Sequence, residues 1–425
     1  MTSTLNRVMT VELALPAMLP GALVALHYLV QLSRPGFGHA SDQHGRRTPW
    51  ILGGIALLGL GALIATASTG VLTTQTPIGV VIATVGFTFI GAGVGAGGTS
   101  LLALLAAEVP DERRAAAGAI VWIMMIVGFV LTTIIAGQFL DPFSVPRLLT
   151  VTAVVVGAAL LLALIALIGL EPYRTGVNAE TRNVRPKKDA TPNAFRDAVR
   201  GVWDDRRARH FTVFVFVSML AYSTQDLILE PFAALVFDYS IGETTRLAGI
   251  QNQGVLLGML AIAIAGTRFA GSPLGSLRFW TVAGCSGSAL ALAVLVWASL
   301  AGPPWPLPET VFALGFSNGV FAVAAIASMM ALAGAGPHGQ EGVRMGVWGA
   351  AQAIAFAAGG FLGTALYDSF TALGFERGYV YALIFITEAA IFLAAAGLAT
   401  RIESLSPHHG VREELKGNAT WRLTS

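Results

Sequence analysis

The chain has 425 residues, of which 55% are hydrophobic and only 12% charged, with a formal net charge of +2 and a mean hydropathy of +0.69. A water-soluble protein carries about a quarter charged residues, so this composition excludes an ordinary soluble enzyme and predicts an all-α polytopic membrane protein. The single cysteine, Cys285, excludes a disulfide framework and a Cys/His metal set.

Eleven segments reach the roughly 20 mainly apolar residues that a spanning helix needs. The first, 9–32, is too long for the apolar region of a signal peptide and has no small-residue cleavage site. It carries Glu12 near its start, which is either a cavity group or an interfacial partner of Arg7. His27, further along, has a side chain able to ligate a metal, although a lone membrane histidine also serves as a hydrogen-bonded packing residue. A polar turn follows with Gly38, Asp42, Gly45, Arg46 and Arg47, in which glycines allow a tight turn and the charges can form a locking contact. Spans at 50–68, 78–107, 115–139 and 147–170 come next. The second of these holds the run Gly91-Ala92-Gly93-Val94-Gly95-Ala96-Gly97-Gly98, which favours close helix packing.

The polar segment 171–209 divides the chain into an N-terminal part, 1–170, with five spans and a C-terminal part, 210–400, with six, ahead of a tail at 401–425. Span 210–237 is the most unusual, because it places Gln225, Asp226 and Glu230 inside an apolar helix, where each charge costs about 2.5–3.5 kcal/mol on insertion scales. Asp226 and Glu230 are four apart and share a helix face. They could relay protons, hold a cation or hydrogen-bond a bulky polar ligand, or they could lie near the interface and pair with Arg246. Pro231 should free a backbone carbonyl one turn back. Span 245–265 opens with Gln251 and Gln253, and Gln352 sits in 345–366; all three are candidate cavity groups. The remaining spans are 279–300, 309–335 and 378–399.

About 22 of the 26 Lys and Arg fall in the loops after spans 1, 3, 5, 7 and 9, in the 171–209 segment and in the tail. The positive-inside rule therefore puts that segment and the C-terminus in the cytoplasm. The basic residues follow this rule and form no interleaved nucleic-acid patch, and the sequence has no nucleotide loop or nucleophile motif. A shift of about 226 residues lays Val121-Trp122 on Val347-Trp348 and spans 50, 78, 115 and 147 on 279, 309, 345 and 378. Two parallel repeats of this kind resemble the major facilitator superfamily, and the Gly38–Arg47 turn is similar to that superfamily's signature loop between helices 2 and 3. The loop follows the first span here, so the expected fold is a twelve-helix plan with eleven visible spans, lacking its first helix.

A narrower resemblance lies in Thr4-Leu5-Asn6-Arg7-Val8-Met9, Val11-Glu12-Leu13, Leu26-His27-Tyr28 and Gln225-Asp226-Leu227-Ile228-Leu229-Glu230-Pro231-Phe232. These segments resemble the PucC/LhaA family, the bacteriochlorophyll-delivery branch of that superfamily. The resemblance implies a non-enzymatic membrane protein of a phototrophic bacterium, in its inner or intracytoplasmic membrane. Such a protein handles bacteriochlorophyll or a precursor and works with light-harvesting polypeptides or pigment-synthesis enzymes. It implies no intrinsic cofactor, bacteriochlorophyll as ligand, and Glu12, His27, Asp226 and Glu230 as positions to test, with His27 a candidate for the pigment magnesium. The alternative is a proton-coupled secondary transporter of a small or amphipathic solute that uses Asp226 and Glu230.

Overall fold

A computed structural model describes residues 2–34, 37, 47–108, 114–169, 200–201, 203–268, 276–334 and 341–401. The described residues form helices α1 (Thr2–Arg7), α2 (Met18–Val30), α3 (Thr48–Leu72), α4 (Thr76–Glu108), α5 (Arg114–Phe139), α6 (Val145–Leu167), α7 (Arg206–Phe237), α8 (Ile241–Arg268), α9 (Leu277–Ala301), α10 (Leu307–Gly334), α11 (Glu341–Ala372) and α12 (Arg377–Thr400). Ten of them, α3 to α12, are long and apolar enough to cross a bilayer. The protein is a multi-pass membrane protein.

The expected first span, 9–32, is not one continuous helix. A π-helical turn, Val8–Glu12, follows α1, and the chain breaks before α2 restarts at Met18. Pro16 has no N–H to donate and Ala14 sits at a φ of 49°, a left-handed conformation that a helix does not tolerate. Apolar length alone could not reveal this break. The restart is satisfied from elsewhere: Asp368, near the end of α11, accepts from the backbone N–H groups of Ala17 at 2.9 Å and Met18 at 2.7 Å. A carboxylate at a helix start answers both the unpaired N–H groups and the positive end of the helix dipole.

Packing pairs recur along the chain. Helix α3 packs on α4 and α6, as α9 packs on α10 and α12, and α2 packs on α4 as α8 packs on α10. The largest contacts that join these groups are α5 with α8 and α2 with α11. The groups are close-packed through small residues. A Cβ on Gly54 of α3 would stand 2.4 Å from the Gly97 nitrogen and 2.9 Å from the Gly93 carbonyl oxygen, so the glycine run of α4 is a helix-contact surface. Helix α7 is the exception to the recurrence. It packs on α11 and α12, but no described helix holds the corresponding place beside α5 and α6. Only 17% of the α5 span and 11% of the α6 span are buried, against 33% and 50% for α11 and α12.

Gly54→Val should therefore force α3 and α4 apart and destabilise the fold by about 1–3 kcal/mol, the usual range for overpacking. A lowered melting midpoint in detergent, followed by size-exclusion chromatography, is the expected reading; an unchanged midpoint would show that this contact is not tight.

Candidate functional site

Helix α7 positions the site. Pro231 leaves the Leu227 carbonyl without its helical partner, and the side-chain amide of Asn6, itself fully buried, donates to that oxygen at 2.7 Å. The buried Arg7 guanidinium donates to the Tyr239 carbonyl at 3.1 Å and pairs with Glu12. The residues around the break in the first span thus brace the kinked half of α7. Its Tyr222, Asp226 and Glu230 then line a cavity of about 1700 Å³.

The opposite walls come from α5 and α6, including Met124, Leu131, Ile135, Val154 and Leu162. Each of these five side chains is more than half exposed, so this wall continues onto the apolar outside of the bundle and the cavity is open sideways. The cavity lies beside α5 and α6 where the recurring pattern would place the equivalent of α7. Its floor is aromatic: the Tyr28 and Tyr222 rings lie 5.0 and 5.9 Å from the ring of Phe356. Gln251 and Asn252 of α8 add amides.

The candidate residues separate clearly. Asp226, Glu230 and Gln251 come together in this cavity, and Glu230 is only 3% exposed, with Oε2 unpartnered among the described residues. Gln253 and Gln352 are half-buried and do not line it, and the Gln352 amide lies 3.8 Å from the Met219 sulfur. Glu12 stays with Arg7 and lines a smaller pocket with Ser240, Arg246 and Asp141, the last of which also lines the cavity. His27 is buried: its Nδ1–H donates to the Val24 carbonyl at 3.2 Å, and its Nε2 accepts from the Gln31 amide at 3.0 Å. The Gln31 amide is oriented by Arg34, which donates to its oxygen. Both ring nitrogens are occupied, so ligation of a magnesium would require Gln31 to move.

The suggested pairing of Asp226 or Glu230 with Arg246 is not what the structure has. Arg246 lies 3.9 Å from Asp141 and donates to the Gly242 carbonyl, while among the described residues the cation near Glu230 is Arg7. Of the turn residues, Gly38, Asp42, Gly45 and Arg46 lie outside the described residues; Arg47 precedes the first turn of α3. Sequence reasoning passed over Glu388 of α12, which is 1% exposed and carries two unpartnered oxygens among the described residues. The insertion-cost argument that selected Asp226 applies equally to it. Tyr222 and Asn252 had no such signal.

A second feature ties helices together at one end of the bundle. Asp141, just beyond α5, accepts from the Ser240 hydroxyl at 2.8 Å and the Gly242 N–H at 3.0 Å, at the start of α8. Asp368 does the same for the start of α2. The two aspartates stand 227 positions apart, the repeat interval, and each ties a helix of one group to a helix start of the other.

Residues 4–406 match the family model described as PUCC protein. The chain belongs to the PucC family. It is 46% identical over 402 residues to the bacteriochlorophyll synthase 44.5 kDa chain of Rhodobacter capsulatus, covering 94% of this chain and 90% of that one. It is 30% identical to Protein PucC of Cereibacter sphaeroides, covering 92% and 85%. Among solved structures it is similar to the nucleoside transporter NupG, with a TM-score of 0.66 at 15% identity and 94% of each chain covered. That likeness shows the fold of the major facilitator transporters for this PucC-family chain.

Replacing Asp141 and Asp368 together by alanine should release both helix starts, each hydrogen bond to a charged group being worth about 1.5–3 kcal/mol. Nitroxides placed at the exposed residues Thr74 and Thr371 should then report a longer inter-label distance by pulsed electron resonance. An unchanged distance distribution would show that the aspartates do not hold this end closed.

Proposed function

We propose that this protein binds bacteriochlorophyll or a late precursor in the sideways-open cavity and hands it on during pigment synthesis and light-harvesting complex assembly. The observation that carries this reading is the cavity itself. Small-molecule sites measure roughly 300–1,000 Å³, and this one holds about 1700 Å³ behind an apolar, bilayer-facing wall. A flat macrocycle with a long isoprenoid tail needs that volume and that route of entry, and the Tyr28, Tyr222 and Phe356 rings offer a stacking surface. The relatives' names support the pigment, since one is called a bacteriochlorophyll synthase chain and another PucC. No catalytic constellation accompanies the cavity among the described residues, and we read the protein as an accessory of synthesis rather than an enzyme.

The accompanying topology is a twelve-helix plan of two halves, 1–170 and 210–400. The 171–209 linker and the 401–425 tail are cytoplasmic, in the inner or intracytoplasmic membrane of a phototrophic bacterium. The Asp141 and Asp368 contacts then lie on the outer side, and partners would be light-harvesting polypeptides or pigment-synthesis enzymes.

The protein purified from phototrophic cells should carry bound pigment with a visible absorption band. Met124→Trp with Val154→Trp, which narrow the lateral mouth without touching the packed helix contacts, should reduce the bound pigment severalfold at unchanged yield. A colourless wild-type preparation would refute the reading. One observation favours a second function: two carboxylates, Asp226 and Glu230, line the same cavity, as a proton-coupled transporter requires. In that case Glu230→Gln should abolish proton-driven flux of an amphipathic solute in vesicles, and undiminished flux would remove the carboxylates from the mechanism.

A further inference from the structure

Behind Asp226, on the face of α7 turned away from the cavity, lies Gln225. It is fully buried, and neither its oxygen nor its nitrogen has a hydrogen-bond partner among the described residues. That is an unusual state for an amide, because an unsatisfied polar group in an apolar interior costs several kcal/mol. Glu388 of α12 is in the same state, with both carboxyl oxygens buried and unpartnered.

The helix register puts the two groups opposite one another. Phe232 of α7 packs on Tyr381 and Phe385 of α12, with ring centroids 5.1 and 4.9 Å apart. Helices α7 and α12 run in opposite directions, and seven residues are two turns that return to the same face. Seven residues back from Phe232 is Gln225, and seven on from Tyr381 is Glu388. One turn further on, Phe392 meets Phe321, which in turn meets Tyr222, at 5.7 and 6.3 Å, so the layer is closed by aromatic rings on both sides. Asp226 is near enough for its charge to act on Glu388, and Asp226 itself lines the cavity.

We propose that Glu388 and Gln225 form a proton-binding site that fills from the cavity through Asp226. A bare carboxylate with no cation and no donor is far costlier in an apolar layer than a neutral carboxyl, whose O–H can be donated to the Gln225 oxygen. In the transfer, an O–H bond at the Asp226 carboxyl breaks as one forms at Glu388, and the negative charge moves from Glu388 to Asp226, where cavity water can reprotonate it. The acceptor is the Glu388 carboxylate, and among the described residues no group of three or more metal-ligating side chains surrounds it. The site does not depend on which solute occupies the cavity, and it adds a member that the Asp226 and Glu230 pair lacks.

Infrared spectroscopy of the full chain in lipid nanodiscs tests this without any transport assay. The wild type should show a neutral carboxylic-acid carbonyl component that is lost in Glu388→Gln, as read in the difference spectrum, and Gln225→Leu should shift that component while keeping it. On transfer to deuterated water the band should shift promptly in the wild type, and Asp226→Asn should slow the shift by at least an order of magnitude. A difference spectrum in which Glu388→Gln loses no such component, or a component unmoved by Gln225→Leu, overturns the site. Exchange that is equally fast in Asp226→Asn overturns the route. Pigment binding would be unaffected by either result, so failure here is distinguishable from failure of the pigment reading.

Discussion

Everything distinctive in this molecule follows from the rule that backbone polar groups inside a bilayer must be satisfied by the protein itself. Pro231 breaks that rule locally by leaving the Leu227 carbonyl unpaired. The repair comes from Asn6, 221 residues away, whose amide reaches that oxygen. For Asn6 to arrive there, the first segment must run beside α7, stop, and start again. The stop creates a second set of unpaired groups, at Ala17 and Met18, and Asp368 repairs those in turn. Two proline-induced defects are thus resolved by two long-range contacts, which together fix α7 and α11 against the N-terminal segment.

Fixing α7 in this way sets its polar face. Tyr222, Asp226 and Glu230 recur every four residues and look into the cavity, while Gln225 and Phe232 lie on the α12 side. One helix therefore carries two polar systems, one open and one sealed, separated by a single residue step. Helices α5 and α6 add Thr132, Thr133, Gln138, Arg147 and Thr150 to the open system, among mostly apolar side chains. Their apolar side chains, such as Met124, Leu131 and Leu162, continue from the cavity onto the outside of the bundle.

Much of this was legible in the sequence. The span positions α3 to α12 follow from apolar length, and the recurrence near 226 residues anticipated the paired contacts of α3, α4 and α6 with α9, α10 and α12. The charge-bearing face of α7 and the carbonyl freed by Pro231 were visible as well. The break at Ala14–Pro16 was not, because an apolar count is blind to a φ of 49° and to a helix start whose N–H groups are met by Asp368. Nor could spacing reveal that Glu12 belongs to Arg7 or that both nitrogens of His27 are used by Val24 and Gln31. Those are tertiary facts, set by which faces meet.

The repeat also explains why Asp141 and Asp368 act alike. A parallel duplication places the end of α5 against the start of α8, and the end of α11 against the start of α2, as the same contact made twice. A carboxylate at that position accepts from the exposed N–H groups of the facing helix start in both copies, favoured by the helix dipole. Helix α7 is where the symmetry ends. Its copy of the contact surface on α11 and α12 is filled, and the matching surface on α5 and α6 is the cavity wall. Among the described residues, the α5 and α6 side of the bundle is therefore the one that borders the cavity of about 1700 Å³.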